Sequence, residues 1–297
     1  MIGQPRPLLV NGHEVNTDRA LERAAVASGY RIAPKVRLAD VLPISGSGLS
    51  NAEFSYALRS HFDWVVTEGD ERNPQFAVEF DGASHDAPEV AARDALKDRI
   101  AIHFAFPLLR IDGTFLRRVR KRPLLEILVE AWKAWREFMA AQDAGEIAWD
   151  EPWMYQALFS VDPATGKWTP ALAIDAGGRS LVRVLFERGV CRSFQPTSLV
   201  QMHWGRQIVG SYAMVELTDG TFVTGRSRIR SYNFEPIPAW ELADDLAIEN
   251  LRMNLRLWMD GHNVAVSGAD VARIRAEHPE SDGWHAIGIT HPLWMTA

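Results

Sequence analysis

The chain has 297 residues, about twice a typical domain of about 150, with 47% hydrophobic and 24% charged side chains. That composition can build a core in each of two domains and excludes a disordered chain, and a formal charge of −6 excludes a protein that coats nucleic acid through total charge. The one cysteine, Cys191, excludes an internal disulfide and a Cys-rich zinc module, and with no run of 18 apolar residues the chain is expected to be soluble, cytoplasmic and not membrane-bound.

In chain order, Thr17 or Asp18 is placed to cap a helix with Leu21, Ala24 and Ala25 on one face, ended by Gly29. Residues 31–38 alternate as a strand, with Ile32, Pro34, Val36 and Leu38 on one face and Arg31, Lys35 and Arg37 on the other; Pro34 points to an edge position. A capping box of Ser50 and Glu53 opens a short helix over 51–59. Residues 62–67 and 76–81 are rich in aromatic and β-branched types and flank a polar turn, so they predict a hairpin.

Asp86 and Glu89 then open a helix reaching about residue 104, with Pro88 in its first turn. Residues 108–111 form a short strand, and apolar residues from Leu124 to Phe138 recur at helical spacing, predicting a long amphipathic helix over 115–143. The stretch 145–152 reads as a linker, dividing the chain into domains of 1–144 and 153–297. In the second, residues 158–234 show short strand-like runs with glycine turns, the clearest at 217–222, followed by helices over 239–259 and 269–278. The first half is therefore α/β and the second α+β.

Charge is unevenly placed. Residues 51–92 hold two basic and nine acidic side chains, a net of −7, whereas residues 93–136 hold 11 basic and five acidic, a net of +6. Glu79 and Asp81 stand two apart and so share a strand face, and both interrupt an apolar run of Phe76, Ala77, Val78 and Phe80. Buried carboxylates need a partner, and a hard cation such as Mg²⁺, which takes oxygen ligands at about 2.1 Å, is one. Asp63, at the start of the neighbouring strand, is placed to share it.

The runs Phe62-Asp63-Trp64-Val65-Val66, Phe76 to His85, Arg93-Asp94-Ala95-Leu96-Lys97-Asp98-Arg99 and Pro107-Leu108-Leu109-Arg110-Ile111 resemble the PD-(D/E)xK nuclease superfamily. The resemblance is closest to an uncharacterised branch with a Glu-x-Asp motif and a segment like Lys35 to Leu42 upstream, and covers about residues 17–112. It implies a restriction-endonuclease-like mixed sheet flanked by helices, and Mg²⁺-dependent hydrolysis of phosphodiester bonds, usually in DNA, with Mn²⁺ as a substitute. Asp63, Glu79 and Asp81 are then the expected metal ligands, Glu22 the added helix glutamate, and His85 a general acid or phosphate contact. The superfamily's usual lysine position is held by Asp81, so either Lys97 carries the positive role or the site keeps the fold without catalysis.

Alternative readings stay open: Asp63 as a strand-entrance residue, Glu79 with Asp81 as a solvated face, Lys97 and Glu22 as surface charges, and Asp86 as a helix cap. Arg31, Lys35, Arg37, Arg93, Arg117, Arg118, Arg120, Lys121 and Arg122 are the expected nucleic-acid contacts, or else a solvated surface. Arg226, Arg228 and Arg230 alternate along a strand that Tyr232 and Phe234 continue, which fits stacking plus charge or the protection of a sheet edge. The function expected is a Mg²⁺-dependent nuclease whose second domain recognises substrate or a protein partner. The rival is a catalytically inactive nucleic-acid-binding or adaptor module of a larger defence or repair assembly.

Overall fold

The computed structural model describes residues 9, 12–82, 88–119, 122–161, 168–203 and 208–276. It is a mixed α/β protein of two compact units, Met1–Trp153 with Tyr232–Pro236, and Met154–Ser231 with Ile237–Ala297.

In the first unit the order is α1 (Gly12–Ser28), β1 (Tyr30–Arg37), α2 (Leu38–Val41), α3 (Asn51–Arg59), β2 (His61–Glu68), β3 (Asn73–Phe80), α4 (Pro88–His103) and β4 (Leu108–Ile111). A two-stranded ribbon of β5 (Arg118–Val119) and β6 (Arg122–Pro123) then leads into α5 (Leu124–Asp143). The sheet order is β1-β2-β3-β4, antiparallel except where β3 meets β4 in parallel across the α4 crossover. Helices take both faces. Phe62, Val65, Ala77 and Leu108 form one buried cluster with Ala57 of α3 and Ile100 and Ala101 of α4. On the other face, Phe76 packs against Trp132 of α5 and against Phe234.

The second unit holds β7 (Phe159–Val161), β8 (Trp168–Pro170), α6 (Ala176–Glu187), β9 (Thr197–His203), β10 (Ile208–Glu216), β11 (Phe222–Arg230), α7 (Ala239–Met259) and α8 (Gly268–Ala276). Strands β11-β10-β9 make an antiparallel sheet, and α7 lies along one face of it over Ala213, Val215 and Val223. The approach is close because Gly225 has no side chain: a Cβ there would sit 2.1 Å from the Leu251 backbone nitrogen.

Four sequence expectations change. Helix α1 starts at Gly12, five residues before Thr17, which brings an extra turn with His13 and Glu14 into play. The long helix of the first unit starts at Leu124, so Arg117, Arg118 and Arg122 lie on a 3-10 turn and ribbon ahead of it; Pro123 fixes that start because the residue before a proline disfavours helix. Residues 176–187 form a helix where short strands were expected, with Gly178 against Ile248 of α7. Tyr232 and Phe234 leave the arginine-bearing strand and belong to the first unit, where Phe234 is buried.

Candidate functional site

The β2–β3 register places Trp64 opposite Val78 and Val65 opposite Ala77, so Asp63 and Glu79 are opposite at the next step. Their carboxylates interlock. The Asp63 amide donates to Glu79 Oε1 at 3.2 Å, and the Phe80 amide donates to Asp63 Oδ2 at 3.0 Å. Each remaining oxygen faces an ammonium. Lys97, one helical turn beyond Arg93 on α4, donates to Glu79 Oε2 at 2.6 Å and to the His61 carbonyl at 2.8 Å. Lys35 of β1 donates to Asp63 Oδ1 at 2.7 Å and to Glu14 Oε1 of α1 at 3.1 Å.

Lys35 reaches this position from an unusual backbone. Its φ is 53°, in the left-handed region that side chains with a Cβ adopt at a cost of about 1–3 kcal/mol. The expected alternation of β1 breaks here, and Lys35 turns to the carboxylates while Arg31 pairs with Asp70 at 3.6 Å and Arg37 takes both oxygens of Asp40 at 2.8 Å. The three cations therefore do not share one phosphate-facing surface.

Glu79 is 6% exposed. Its carboxyl is raised to about 7: burial pushes it up, Lys97 draws it down, and the neighbouring Asp63 charge pushes it up again. One lysine contact thus does not offset the loss of solvent. For Lys35, burial works against the charge, but the hydrogen bonds and fields of Asp63 and Glu14 outweigh it and raise its pKa.

Asp81, two residues beyond Glu79, is held by Arg110 of β4, whose Nη1 lies 3.0 Å from Asp81 Oδ1. Arg110 also donates to Asp98 Oδ1 from Nε at 2.8 Å and Nη2 at 2.7 Å, and lies 3.6 Å from Asp94. Burial opposes its charge, but Asp98, Asp81 and Glu79 together raise its pKa. Taken together, Glu14, Asp63, Glu79, Asp81, Asp94 and Asp98 gather around Lys35, Lys97 and Arg110.

Residues 6–121, which hold all of these groups, match the model of a family described as a protein of unknown function (DUF2726). No curated protein and no solved structure matches the chain.

The structure thus brings Asp63, Glu79, Lys97 and Lys35 together, and sets Asp81 beside them in the grip of Arg110. Glu22 is exposed on α1, and Glu14 is the helix glutamate that reaches the cluster. Sequence reading missed Glu14 because the apolar stripe of α1 begins only at Thr17, leaving the first turn without a helical signal. Among the basic residues, Arg93, Arg117 and Arg118 are exposed, and Arg122 pairs with Glu130. His85, Asp86, Arg120 and Lys121 lie outside the described residues. Among the described residues no group of three or more His, Cys, Asp or Glu is arranged to hold a metal ion, and no helix is long and apolar enough to cross a membrane.

Proposed function

We propose that the first unit is a metal-dependent phosphodiester hydrolase acting on nucleic acid, with DNA as the expected substrate, on a restriction-endonuclease-like sheet. The observation that carries this reading is the interlocked Asp63–Glu79 pair with Lys97 seated on Glu79 from the following helix. The donor set fits a hard cation in its chemistry: Asp63 and Glu79 are adjacent carboxylates on neighbouring strands, and oxygen ligands of this kind suit Mg²⁺. Asp63 and Glu79 would hold Mg²⁺. When bound, the ion supplies Lewis-acid stabilisation and lowers the pKa of a water.

The chain's own groups do the rest. The amides of Asp63 and Phe80 fix both carboxylates across the sheet. Lys97 draws the Glu79 carboxyl down against burial and would supply positive charge to a phosphate held at the ion, the role that the sequence at position 81 leaves open. Lys35 supplies a second positive charge, aimed by Glu14.

A specific observation favours a second reading, a binding module without catalysis: each of the four oxygens of Asp63 and Glu79 already accepts from an ammonium or an amide. Incubating the purified chain with labelled single- and double-stranded DNA under Mg²⁺ or Mn²⁺ separates the two. Hydrolysis is expected, with a loss of at least about 100-fold in Asp63→Asn and Glu79→Gln while circular dichroism stays unchanged. Cleavage by both variants at the wild-type rate would refute the site. DNA binding in EDTA with no cleavage under either ion would support the second reading.

A further inference from the structure

We infer that the exposed Arg226–Arg228 stretch of β11, on the sheet face away from α7, binds single-stranded nucleic acid, with Arg226 over the Tyr212 ring meeting a base and Arg228 taking phosphate. The inference stands on the second unit alone and is independent of the hydrolytic reading of the first.

The face follows from strand parity. Val223, Gly225 and Ile229 of β11 are turned toward α7, as the contact between Gly225 and Leu251 requires, so Thr224, Arg226 and Arg228 are on the opposite side. Both Arg226 and Arg228 are exposed. Among the described residues neither arginine makes an ion pair. Across the sheet, Arg226 is paired with Tyr212 and Arg228 with Gly210. The Arg226 guanidinium turns inward and lies 5.8 Å above the centre of the Tyr212 ring.

Protection of the sheet edge, the ordinary explanation for charges on β11, does not account for this. Two carbonyls of β11 are already taken by α7: Asn254 Nδ2 donates to the Thr224 carbonyl at 2.7 Å and Asn250 Nδ2 to the Arg226 carbonyl at 2.6 Å. A guanidinium laid over a neighbouring strand's ring does nothing for the edge, but it sets an exposed cation beside an aromatic ring.

Bases stack on aromatic rings and guanidinium groups regardless of sequence, and phosphates pair with an arginine such as Arg228 beside them. Arg226 and Arg228 are two residues apart, about 6.8 Å along the strand, a step that one nucleotide of an extended single strand spans. Gly210 opposite Arg228 presents no side chain on that face. An acidic peptide would satisfy the charges but would make no use of the aromatic ring beside Arg226, so a nucleic-acid strand is the better match.

The test uses the full chain in EDTA, which keeps hydrolysis out of the measurement, and follows fluorescence anisotropy of labelled oligo-dT, a DNA duplex of equal length and polyglutamate. Oligo-dT should bind tightest. The Arg226→Ala/Arg228→Ala variant should weaken it at least about tenfold and lower the slope of log affinity against log salt by about 0.7, the share of the one phosphate contact. The Arg226→Lys/Arg228→Lys variant keeps the charge, so it should hold the salt slope yet lose several-fold in affinity. Equal binding of oligo-dT by wild type and the double alanine variant would overturn the inference. So would equal or tighter binding of the duplex or polyglutamate, or no binding of oligo-dT by wild type.

Discussion

Replacing Lys97 by methionine tests how the site is held together. The Lys97 and Glu79 side chains are 10% and 7% exposed and 2.6 Å apart, so Lys97→Met keeps the bulk of the side chain and leaves a buried carboxylate without its cation. Breaking a buried pair on one side costs about 3–5 kcal/mol. The lower end applies here, because the Glu79 carboxyl, already raised to about 7, can escape by taking a proton. The expected loss is therefore about 3 kcal/mol at pH 8, shrinking by at least about 1 kcal/mol at pH 6, where Glu79 is mostly protonated in the parent as well. Adding Glu79→Gln to Lys97→Met removes both charges and should recover about 2 kcal/mol, a coupling that a double-mutant cycle reads directly. Equilibrium urea unfolding of the full chain gives the energies, and hydrogen exchange in the β2–β3 peptides assigns the transition to the first unit. A cost below about 1 kcal/mol at pH 8, or strictly additive single changes, would refute the reasoning.

Three other outcomes follow from the same kind of argument. The Glu79 pKa lies above its unfolded value, so its contribution to stability is fully present below about pH 4.5 and is lost as pH rises through about 7; wild type should lose up to about 3 kcal/mol relative to Glu79→Gln between pH 5 and pH 8, as pH-dependent urea titrations would show. Gly225→Ala drives a Cβ to 2.1 Å from Leu251 N and 2.2 Å from Ala247 O, both backbone atoms of α7, so it should cost more than about 3 kcal/mol or prevent soluble expression, whereas an alanine at Gly220, in an open turn at φ 84°, should cost about 1 kcal/mol. Tyr155→Phe removes the hydroxyl that donates to Asp245 Oδ2 at 2.8 Å inside the second unit, and should cost about 1–3 kcal/mol in thermal or urea unfolding.

Much of the first unit could be read from sequence because local signals agreed. The Ser50–Glu53 capping box forms as written, and β4 covers 108–111 as the apolar run predicts. Glu79 stands out because a charge inside an apolar run needs a partner, and Lys97, marked by the family resemblance, proves to be that partner. What stayed hidden depends on distant contacts. No glycine or asparagine at position 35 signals a left-handed residue, so nothing in the local sequence turns Lys35 toward Asp63. Asp81 has the same strand parity as Glu79, yet Arg110, from a parallel strand reached through α4, decides its contacts. Gly177 and Gly178 lower the helical signal of α6, and only the packing of α7 explains Gly178.

The most direct test of cation binding by Asp63 and Glu79 is anomalous scattering from crystals of the full chain soaked in Mn²⁺. The hydrolytic reading predicts a strong peak within bonding distance of oxygens from both side chains, with the Lys35 ammonium shifted off Asp63 to admit it. Crystals that show no peak there at saturating Mn²⁺, with Lys35 and Lys97 still on the same carboxylate oxygens, would contradict it.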